Sequence, residues 1–346
     1  MTQAHVTSAC GGVVISAAGG PDVLHWRPGL ALPALGQDEL LIRVAYAGVN
    51  RHDCNQRRRG PTPAHSDVPG LEVSGFVCAT GSRVTQFQTG DAVCALVDGG
   101  GYATHAIAPA ALAFKIEAPL DLKSAAALPE AMFTVWYNFF GVASLGPGES
   151  VLIHGGTSGV GSLAIQLLHA LGHPVHVTCG SDDKAAAALQ LGARVAINYR
   201  SHDFVQEILR ATEGRGVDVI LDMAGATHSA RNVQALARRG RLVHLSPGDG
   251  AEFCAPLRTI MAKEARITGS LLRPLPLGEK SLIAEKLRHV VIPLIHEGKV
   301  RAWVQETYPL QRAGAAHERL ESGQSMGKIV LQVDPSEPCS PISLAT

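Results

Sequence analysis

The sequence lacks the features of a secreted, membrane-spanning or nucleic-acid-binding chain. Its amino terminus has no basic start followed by an apolar segment, and no stretch approaches the roughly 20 uninterrupted apolar residues of a membrane span. Thirty basic and thirty acidic residues give a formal net charge of +0, so no overall field would attract nucleic acid or an anionic membrane. We therefore predict a cytoplasmic protein that binds neither nucleic acid nor membranes.

Cysteine is sparse and arranged unlike a disulfide framework. The seven cysteines are widely separated and form no Cys-x-x-Cys pair. An odd number at such spacing favours free thiols in a reducing compartment. A length of 346 residues, of which 46% are hydrophobic, is typical of two globular domains.

Two patterns divide the chain. Residues 12–118 alternate short β-type runs with Gly and Pro turns, which predicts a β-rich, partly barrel-like domain. From residue 147, apolar strands alternate regularly with helices, as in VLIH followed by VGSLAIQLLHALG and THSARNVQALARRG followed by RLVHLS. This second pattern predicts a parallel sheet with helices on both faces. We expect one domain over 1–130 to which 300–333 return, a second over 131–299, and a disordered Pro- and Ser-rich tail over 334–346.

The stretch VLIHGGTSGVG places a glycine turn between a buried strand and a helix. Unpaired backbone N–H groups at the positive end of a helix dipole would surround one point there, and a diphosphate fits that point. The candidate residues are Gly156, Thr157, Ser158, Gly159, Val160 and Gly161. The motif departs from G-x-G-x-x-G, and a turn that merely packs tightly is the alternative. Its position at the start of a βαβ series favours dinucleotide binding.

The end of the next strand indicates which dinucleotide binds. NAD sites carry an acidic residue there for the ribose 2′-hydroxyl, whereas VHVTC is followed by Gly180 and Ser181. Lys184 supplies a positive charge for a 2′-phosphate, with Ser181 and Tyr199 as hydroxyl donors. Asp182 and Asp183 suit the first turn of a helix and would point away from the phosphate. An ordinary solvated lysine is the alternative for Lys184. We predict NADPH as the cofactor.

Several stretches together resemble the medium-chain dehydrogenase/reductase superfamily. They are AGVNRHDCNQR, PGLEVSG, GGGYATH, LPEAMFTVW, PGESVLIHGGTSGVGSLAIQL, LGARVAINYR and GKIVL, spread over residues 12–333. Within that superfamily they resemble the zinc-independent, zeta-crystallin-like quinone oxidoreductases. The resemblance implies an α/β protein with a Rossmann domain and a β-rich, chaperonin-10-like (GroES-like) catalytic domain. It also implies hydride transfer from NADPH to a quinone or another conjugated carbonyl acceptor (an enone), in a homodimer.

The residues argue against catalytic zinc. Zinc-dependent relatives carry Cys in G-V-C-x-x-D and His in G-H-E, where this chain has Asn50 and Leu71, and the cluster of four structural cysteines is missing. His52, Cys54 and His65 could form a substitute cluster, but their spacing matches no known pattern. We therefore predict no metal.

The resemblance also assigns candidate site residues. Asn50 would lie beside the nicotinamide and the substrate, where its amide could donate to a developing oxyanion; capping the following helix is the alternative. Thr134 would face the cofactor, unless it is an ordinary core residue. The family places a Tyr after the next Gly, but this chain has Pro61 and Thr62 there, so Thr62 or water would have to replace it. Tyr102 is predicted to be a packing aromatic without a chemical role.

Further contacts are expected at the ends of the later strands. Because ligands bind at the carboxyl ends of parallel strands, Leu245 and Ser246 should contact the nicotinamide, and Leu271 and Leu272 should close its pocket. RITGSLL could supply the sheet edge that joins two subunits. Ser158 has no G-x-S-x-G context and no identifiable base, which disfavours a hydrolase. An NADPH-binding protein with little turnover and an enoyl-thioester reductase remain alternatives to the quinone or enone oxidoreductase.

Overall fold

The computed structural model describes residues 9–62, 66–248 and 252–334. Within them the chain forms two compact units. One contains the described residues up to Glu130 together with those from Ala302 onward, and the other is Ala131–Arg301. Of the tail expected to be disordered, all but residue 334 lies outside the described residues.

The first unit begins with seven strands. They are β1 Ala9–Ile15, β2 Leu24–Ala31, β3 Glu39–Val49, β4 Glu72–Thr80, β5 Ala92–Leu96, β6 His105–Pro109 and β7 Ala113–Lys115. Two helices belong to the same part, α1 Arg51–Arg59 and α2 Leu122–Ala125. The β-type runs of the sequence form strands because they are rich in β-branched residues and are separated by turn residues at short intervals.

The second unit is built around six parallel strands in the order β10-β9-β8-β11-β12-β13. These are β8 Val151–His154, β9 Val175–Cys179, β10 Val195–Asn198, β11 Val217–Asp222, β12 Leu236–His244 and β13 Arg266–Gly269. The order is that of the doubly wound dinucleotide-binding fold, in which ligands lie at the carboxyl ends of the strands. The predicted α/β class with a parallel sheet is confirmed.

Helices flank this sheet. They are α3 Pro129–Trp136, which leads into the unit, α4 Gly159–Ala170, α5 Asp182–Gln190, α6 Phe204–Ala211, α7 Ser229–Ala235, α8 Leu257–Lys263, α9 Leu277–Lys286 and α10 Ile292–His296. The expected helix THSARNVQALARRG is wrong in its second half, because the chain is already strand β12 from Leu236. Leu236 pairs with Val217 of β11, so sheet pairing overrides the local helix propensity of LARR.

The chain then returns to the first unit through β14 Val304–Pro309, α11 Ala313–Glu321 and β15 Lys328–Gln332. β15 pairs antiparallel with β3, which places Ile329 opposite Val49. The resulting seven-stranded sheet has the order β14-β15-β3-β4-β5-β7, with β6 also paired to β3. Its core joins Val44, Val73 and Ala106 to Leu310 and Ile329, so the carboxyl-terminal segment completes the packing of the first unit.

Candidate active site

The glycine turn leaves two backbone donors open at the start of α4. Ser158 precedes the helix, and its hydroxyl oxygen accepts from the N–H of Gly161 at 3.0 Å. The N–H groups of Gly159 and Val160 have no acceptor among the described residues. First-turn N–H groups at the positive end of a helix bind anions. The turn therefore fits a diphosphate, and Ser158 acts as a helix cap rather than as a nucleophile.

Packing accounts for two glycines of the turn. A Cβ on Gly156 would lie 2.6 Å from Cβ of Val177 on β9, and one on Gly161 would lie 2.3 Å from the carbonyl oxygen of Gly155. Thr157 between them is buried. The alternative of a tightly packed turn thus explains Gly156 and Gly161, whereas the unpaired amides of α4 are what a ligand would bind.

The residues expected to contact a 2′-phosphate gather at the ends of β9 and β10. The Ser181 hydroxyl oxygen caps α5 by accepting from the N–H of Lys184 at 3.3 Å. Tyr199 is 43% exposed, and a Cβ on Gly180 would approach its hydroxyl oxygen to 3.3 Å. Asp182 accepts from the side-chain amide of Asn198 at 2.8 Å. That contact fits the prediction that Asp182 does not face a phosphate at Lys184.

A cavity of about 640 Å³ lies at the carboxyl ends of β12 and β13 and is called the β12–β13 cavity below. This volume is typical of a small-molecule site. Its lining includes Tyr137, His244, Leu245, Ser246, Ser270 and Leu271. The N–H of Leu245 donates to the carbonyl oxygen of Asp222 at 2.9 Å, which fixes the start of the loop. Of the two leucines expected to close the pocket, Leu271 lines it, but Leu272 is not among its lining residues.

Thr134 is connected to this cavity through two hydrogen bonds. Its carbonyl oxygen accepts from the side-chain amide of Asn138 at 2.8 Å, and the Ser270 hydroxyl donates to Oδ1 of Asn138 at 2.6 Å. Thr134 itself is buried. Whether its side chain contacts a cofactor stays a prediction.

In the first unit, Asn50 belongs to a buried ionic cluster with Glu72 and Lys328. Its Nδ2 donates to Oε1 of Glu72 at 2.9 Å, and its Oδ1 accepts from Nζ of Lys328 at 2.6 Å. Lys328 also donates to Oε1 of Glu72, while Oε2 of Glu72 accepts from the N–H of Glu130 at 3.0 Å. Glu72 is 0% exposed and Lys328 is 5% exposed. These contacts fix the amide of Asn50 and leave its second Nδ2 hydrogen for a ligand.

A second buried chain of polar groups begins at the backbone of Asn50. The N–H of Asn50 donates to Asp53 at 2.8 Å, and the Tyr102 hydroxyl donates to the same carboxylate oxygen at 3.0 Å. Nη1 of Arg57 lies 3.4 Å from Nδ1 of His317, whose Nε2 lies 3.1 Å from the Tyr102 hydroxyl. Because an arginine only donates, Nδ1 of His317 is the acceptor and its Nε2–H donates to Tyr102. Tyr102 therefore links Asp53 to His317 by donating to one and accepting from the other. The prediction of a packing aromatic did not anticipate these hydrogen bonds.

Burial shifts the pKa values of Asp53 and His317, two members of this series of polar groups, in opposite directions. Loss of hydration raises the pKa of Asp53 to about 6, although the donors Asn50 and Tyr102 and the charge of Lys328 oppose that rise. Loss of hydration, with the nearby Arg57 charge, lowers the pKa of His317 to about 3. His317 is thus neutral near pH 7 while Asp53 is charged.

The other predicted residues of this unit are Thr62, Leu71 and the alternative zinc cluster. Thr62 is exposed, just before the undescribed residues 63–65. The alternative zinc cluster cannot be located completely, because His65 falls outside the described residues. Leu71, which stands where zinc-dependent relatives carry His, is buried and has no ligating atom. Within the described ranges, no three His, Cys, Asp or Glu side chains are grouped so as to hold a metal ion.

Sequence reasoning missed several groups of functional character. Lys328 and Glu72 are charged residues within the apolar runs GKIVL and LEVSG, and a charge in a buried strand was the available signal.

Two family models match the chain. The model described as alcohol dehydrogenase GroES-like domain matches residues 36–118, and the model described as zinc-binding dehydrogenase matches residues 159–284. The two matches correspond to a GroES-like segment followed by a dehydrogenase segment.

Full-length relatives and solved structures agree with these matches. Quinone oxidoreductase of Lama guanicoe is 31% identical over 92% of this chain and 96% of its own, and that of Rattus norvegicus is 32% identical over 90% and 94%. The structure of a Pseudomonas syringae quinone oxidoreductase aligns with a TM-score of 0.84 at 28% identity, covering 93% of this chain and 99% of its own. The Escherichia coli quinone oxidoreductase complexed with NADPH aligns with a TM-score of 0.81 at 29% identity and the same coverage.

Proposed function

The chain belongs to the quinone oxidoreductase family of the medium-chain dehydrogenase/reductase superfamily, and from this membership we propose that it is an NADPH-dependent oxidoreductase acting on quinones or conjugated enones. The similarity to quinone oxidoreductases, one of them solved with NADPH, confirms the predicted family, reaction class and cofactor. The observation that carries the proposal is the full-length likeness to quinone oxidoreductases, combined with two unpaired amides at the glycine turn.

The described residues fit NADPH. Gly159 and Val160 offer backbone donors to the diphosphate, while Lys184, Ser181 and Tyr199 suit the 2′-phosphate. The loops carrying Leu245, Ser246 and Leu271 would receive the nicotinamide end. NADPH, when bound, would supply one hydride, which carries two electrons.

The protein's contribution is to position and to stabilise charge. We propose that the remaining Nδ2 hydrogen of Asn50 donates to the oxygen that becomes negative as the acceptor is reduced. Lys328 and Glu72 fix the amide for that purpose. Thr62 remains the proposed residue for ordering a water molecule near the product. Holding the donor and acceptor carbons close contributes roughly 7–11 kcal/mol to lowering the barrier.

The proposal is tested by following NADPH absorbance with ortho-quinones, conjugated enones and a crotonyl thioester, after measuring the zinc content of the protein. Rapid oxidation by quinones or enones with sub-stoichiometric zinc is expected. NADPH binding without oxidation by any acceptor would instead favour a binding protein, and turnover of only the thioester would favour an enoyl-thioester reductase. Activity that requires stoichiometric zinc would contradict the zinc-independent assignment.

We also propose a homodimer formed through β13, because that strand is an edge of the parallel sheet and the neighbouring Leu271 is 70% exposed. Light scattering after size exclusion tests it, and a monomer mass at micromolar concentration would contradict it. Among the described residues, no helix has the length and apolarity needed to cross a membrane. We propose a cytoplasmic location, which cell fractionation tests.

A further inference from the structure

His244, the last residue of β12, lines the β12–β13 cavity and faces a buried carboxylate. Its Nδ1 lies 3.4 Å from Oδ2 of Asp222, the last residue of β11, and Asp222 is 0% exposed. The two residues are at the carboxyl ends of adjacent parallel strands, where register places them directly opposite each other.

Asp222 is held firmly in this position. Its Oδ1 accepts from the N–H groups of Ala224 and Gly225 at 2.7 and 2.9 Å, and its Oδ2 accepts from the side-chain amide of Asn232 at 2.9 Å. At 3.4 Å the fixed carboxylate acts on the Nδ1 side of the imidazole through its charge, which favours a proton on Nδ1. The other ring nitrogen, Nε2, is then the atom that takes up and releases a proton.

Nε2 of His244 is shielded from water and has no hydrogen-bond partner among the described residues. The ring of Phe253 packs edge-on against the imidazole, with 5.6 Å between the ring centroids. Buried polar atoms are almost always hydrogen-bonded, so an unpartnered one calls for a specific reason such as a catalytic role. Thus the cavity contains a histidine that faces one carboxylate and lacks a partner for its reactive nitrogen.

The reaction needs such a group, since the chain has Pro61 and Thr62 where the family pattern places a Tyr. We propose that Nε2–H of His244 protonates the oxygen of the reduced acceptor, an inference that rests on the proposed function. The acceptor gains a hydride with two electrons from NADPH and a proton from the imidazolium. His244 becomes neutral, and NADP⁺ leaves with the quinol, or with the enol that tautomerises to the saturated carbonyl. His244 regains its proton from water that enters the emptied cavity.

The charged group in contact with His244 is Asp222. Two other histidines, His154 and His228, are influenced by the same carboxylate, but burial is the largest effect on both and lowers their pKa values. On the strand of His244 itself, Arg241 is paired with Glu149. Of these groups, Asp222 is the one within ion-pair distance of the His244 imidazole.

The kinetic test compares His244→Gln with His25→Gln, a matched change of an exposed histidine on β2. With an unsubstituted ortho-quinone, His244→Gln should lower kcat about 100-fold, the scale of general acid catalysis, and His25→Gln should not. The loss should shrink with halogenated quinones, whose products are stable as phenolates and need the proton less. NADPH fluorescence should show unchanged cofactor binding. A constant loss across the quinone series, or none at all, would overturn the inference.

A second variant guards against simple misfolding. His244→Ala should be inactive but should regain activity when imidazole is added, because the free base can occupy the vacated space. A purely structural histidine would not give a rescue that saturates with imidazole. Absence of rescue in a variant that melts at the wild-type temperature would overturn the inference.

A binding readout without turnover uses 4-nitrophenol, whose absorbance reports its ionisation. The wild-type protein should bind it as the phenolate below the usual pKa of the free phenol, since His244 takes the proton, and His244→Gln should not. If none of the quinones or enones causes the wild-type protein to oxidise NADPH, the proposed function fails. The nitrophenol titration still decides this inference: loss of the phenolate signal in His244→Gln supports it, and an equal signal overturns it.

Discussion

Lys328 donates to the amide oxygen of Asn50 across 2.6 Å, although the two residues are 278 positions apart in the chain. Asn50 ends the loop after β3, and Lys328 begins β15 beside it in the same sheet. Glu72 accepts from both residues, so one carboxylate neutralises the ammonium group and fixes the amide. The carboxyl-terminal strand thus contributes directly to the site around Asn50.

Removing Lys328 should therefore destabilise the fold strongly. Lys328→Met leaves Glu72 buried without its counter-charge, and we expect a loss of about 3–5 kcal/mol in the free energy of unfolding by urea. Lys299→Met is the matched control: Lys299 pairs with Glu297 on the surface, and its loss should cost less than about 1 kcal/mol. The double variant Glu72→Met/Lys328→Met should recover most of the loss. A double variant less stable than either single one would contradict this account.

The opposed pKa shifts of Asp53 and His317 predict a specific pH dependence. Asp53 ionises at about pH 6 in the folded state against an ordinary 3.8, so the folded state gains stability as the pH falls from 6 to 4. His317 titrates at about pH 3 against an ordinary 6.5, so the folded state loses stability as the pH falls below 6.5. Each contributes about 1.4 kcal/mol per pH unit with opposite sign, so the two nearly cancel between pH 6 and 4.

Single substitutions should expose each half of this balance. As the pH falls from 6 to 4, the stability of Asp53→Asn should decrease relative to that of wild type. Over the same range, the stability of His317→Gln should increase relative to that of wild type. Urea midpoints at pH 4, 5, 6 and 7 measure the effect, with the exposed His25→Gln as a control. Curves that stay parallel to wild type for both variants would show that neither pKa is shifted.

Lys184 is expected to determine cofactor preference. Lys184→Ala should weaken NADPH binding about tenfold or more and leave NADH binding nearly unchanged, because only NADPH carries the phosphate that the ammonium group would meet. Fluorescence titration with both nucleotides at two salt concentrations measures this, and the exposed Lys123→Ala serves as a control. Equal losses for the two nucleotides would mean that Lys184 does not contact the 2′-phosphate.

Gly156 is predicted to tolerate no side chain. In Gly156→Ala the new Cβ would meet Cβ of Val177 at 2.6 Å, so the turn must shift away from β9. We expect a loss of about 1–3 kcal/mol in stability and weaker NADPH binding. Gly278→Ala is the matched control, because nothing lies within 4 Å of its Cβ position at the start of α9, and it should be neutral or slightly stabilising. Equal behaviour of the two variants in thermal unfolding would refute the packing argument.

Local patterns predicted most of the nucleotide-binding unit. A strand, a glycine turn and a helix cap lie within about a dozen residues, and their backbone geometry follows from local conformational preferences, so Gly156 to Gly161 could be interpreted directly. The same holds for Ser181 and Lys184, which share one helix start. The expected helix over 227–240 shows the limit: residues 236–239 have helix propensity, but pairing of Leu236 with Val217 makes them strand.

By itself, the sequence determined the family and the α/β class with its parallel sheet, and it predicted a nucleotide site with no acidic residue at the end of β9. Only the tertiary structure decided which polar groups contact each other inside the protein. Tyr102 reaches His317 across 215 residues and Lys328 reaches Glu72 across 256, while His244 meets Asp222 through strand register. The reason is physical: a local motif is stabilised by neighbours along the chain, whereas a buried charge takes whichever partner the packed strands bring within hydrogen-bonding distance.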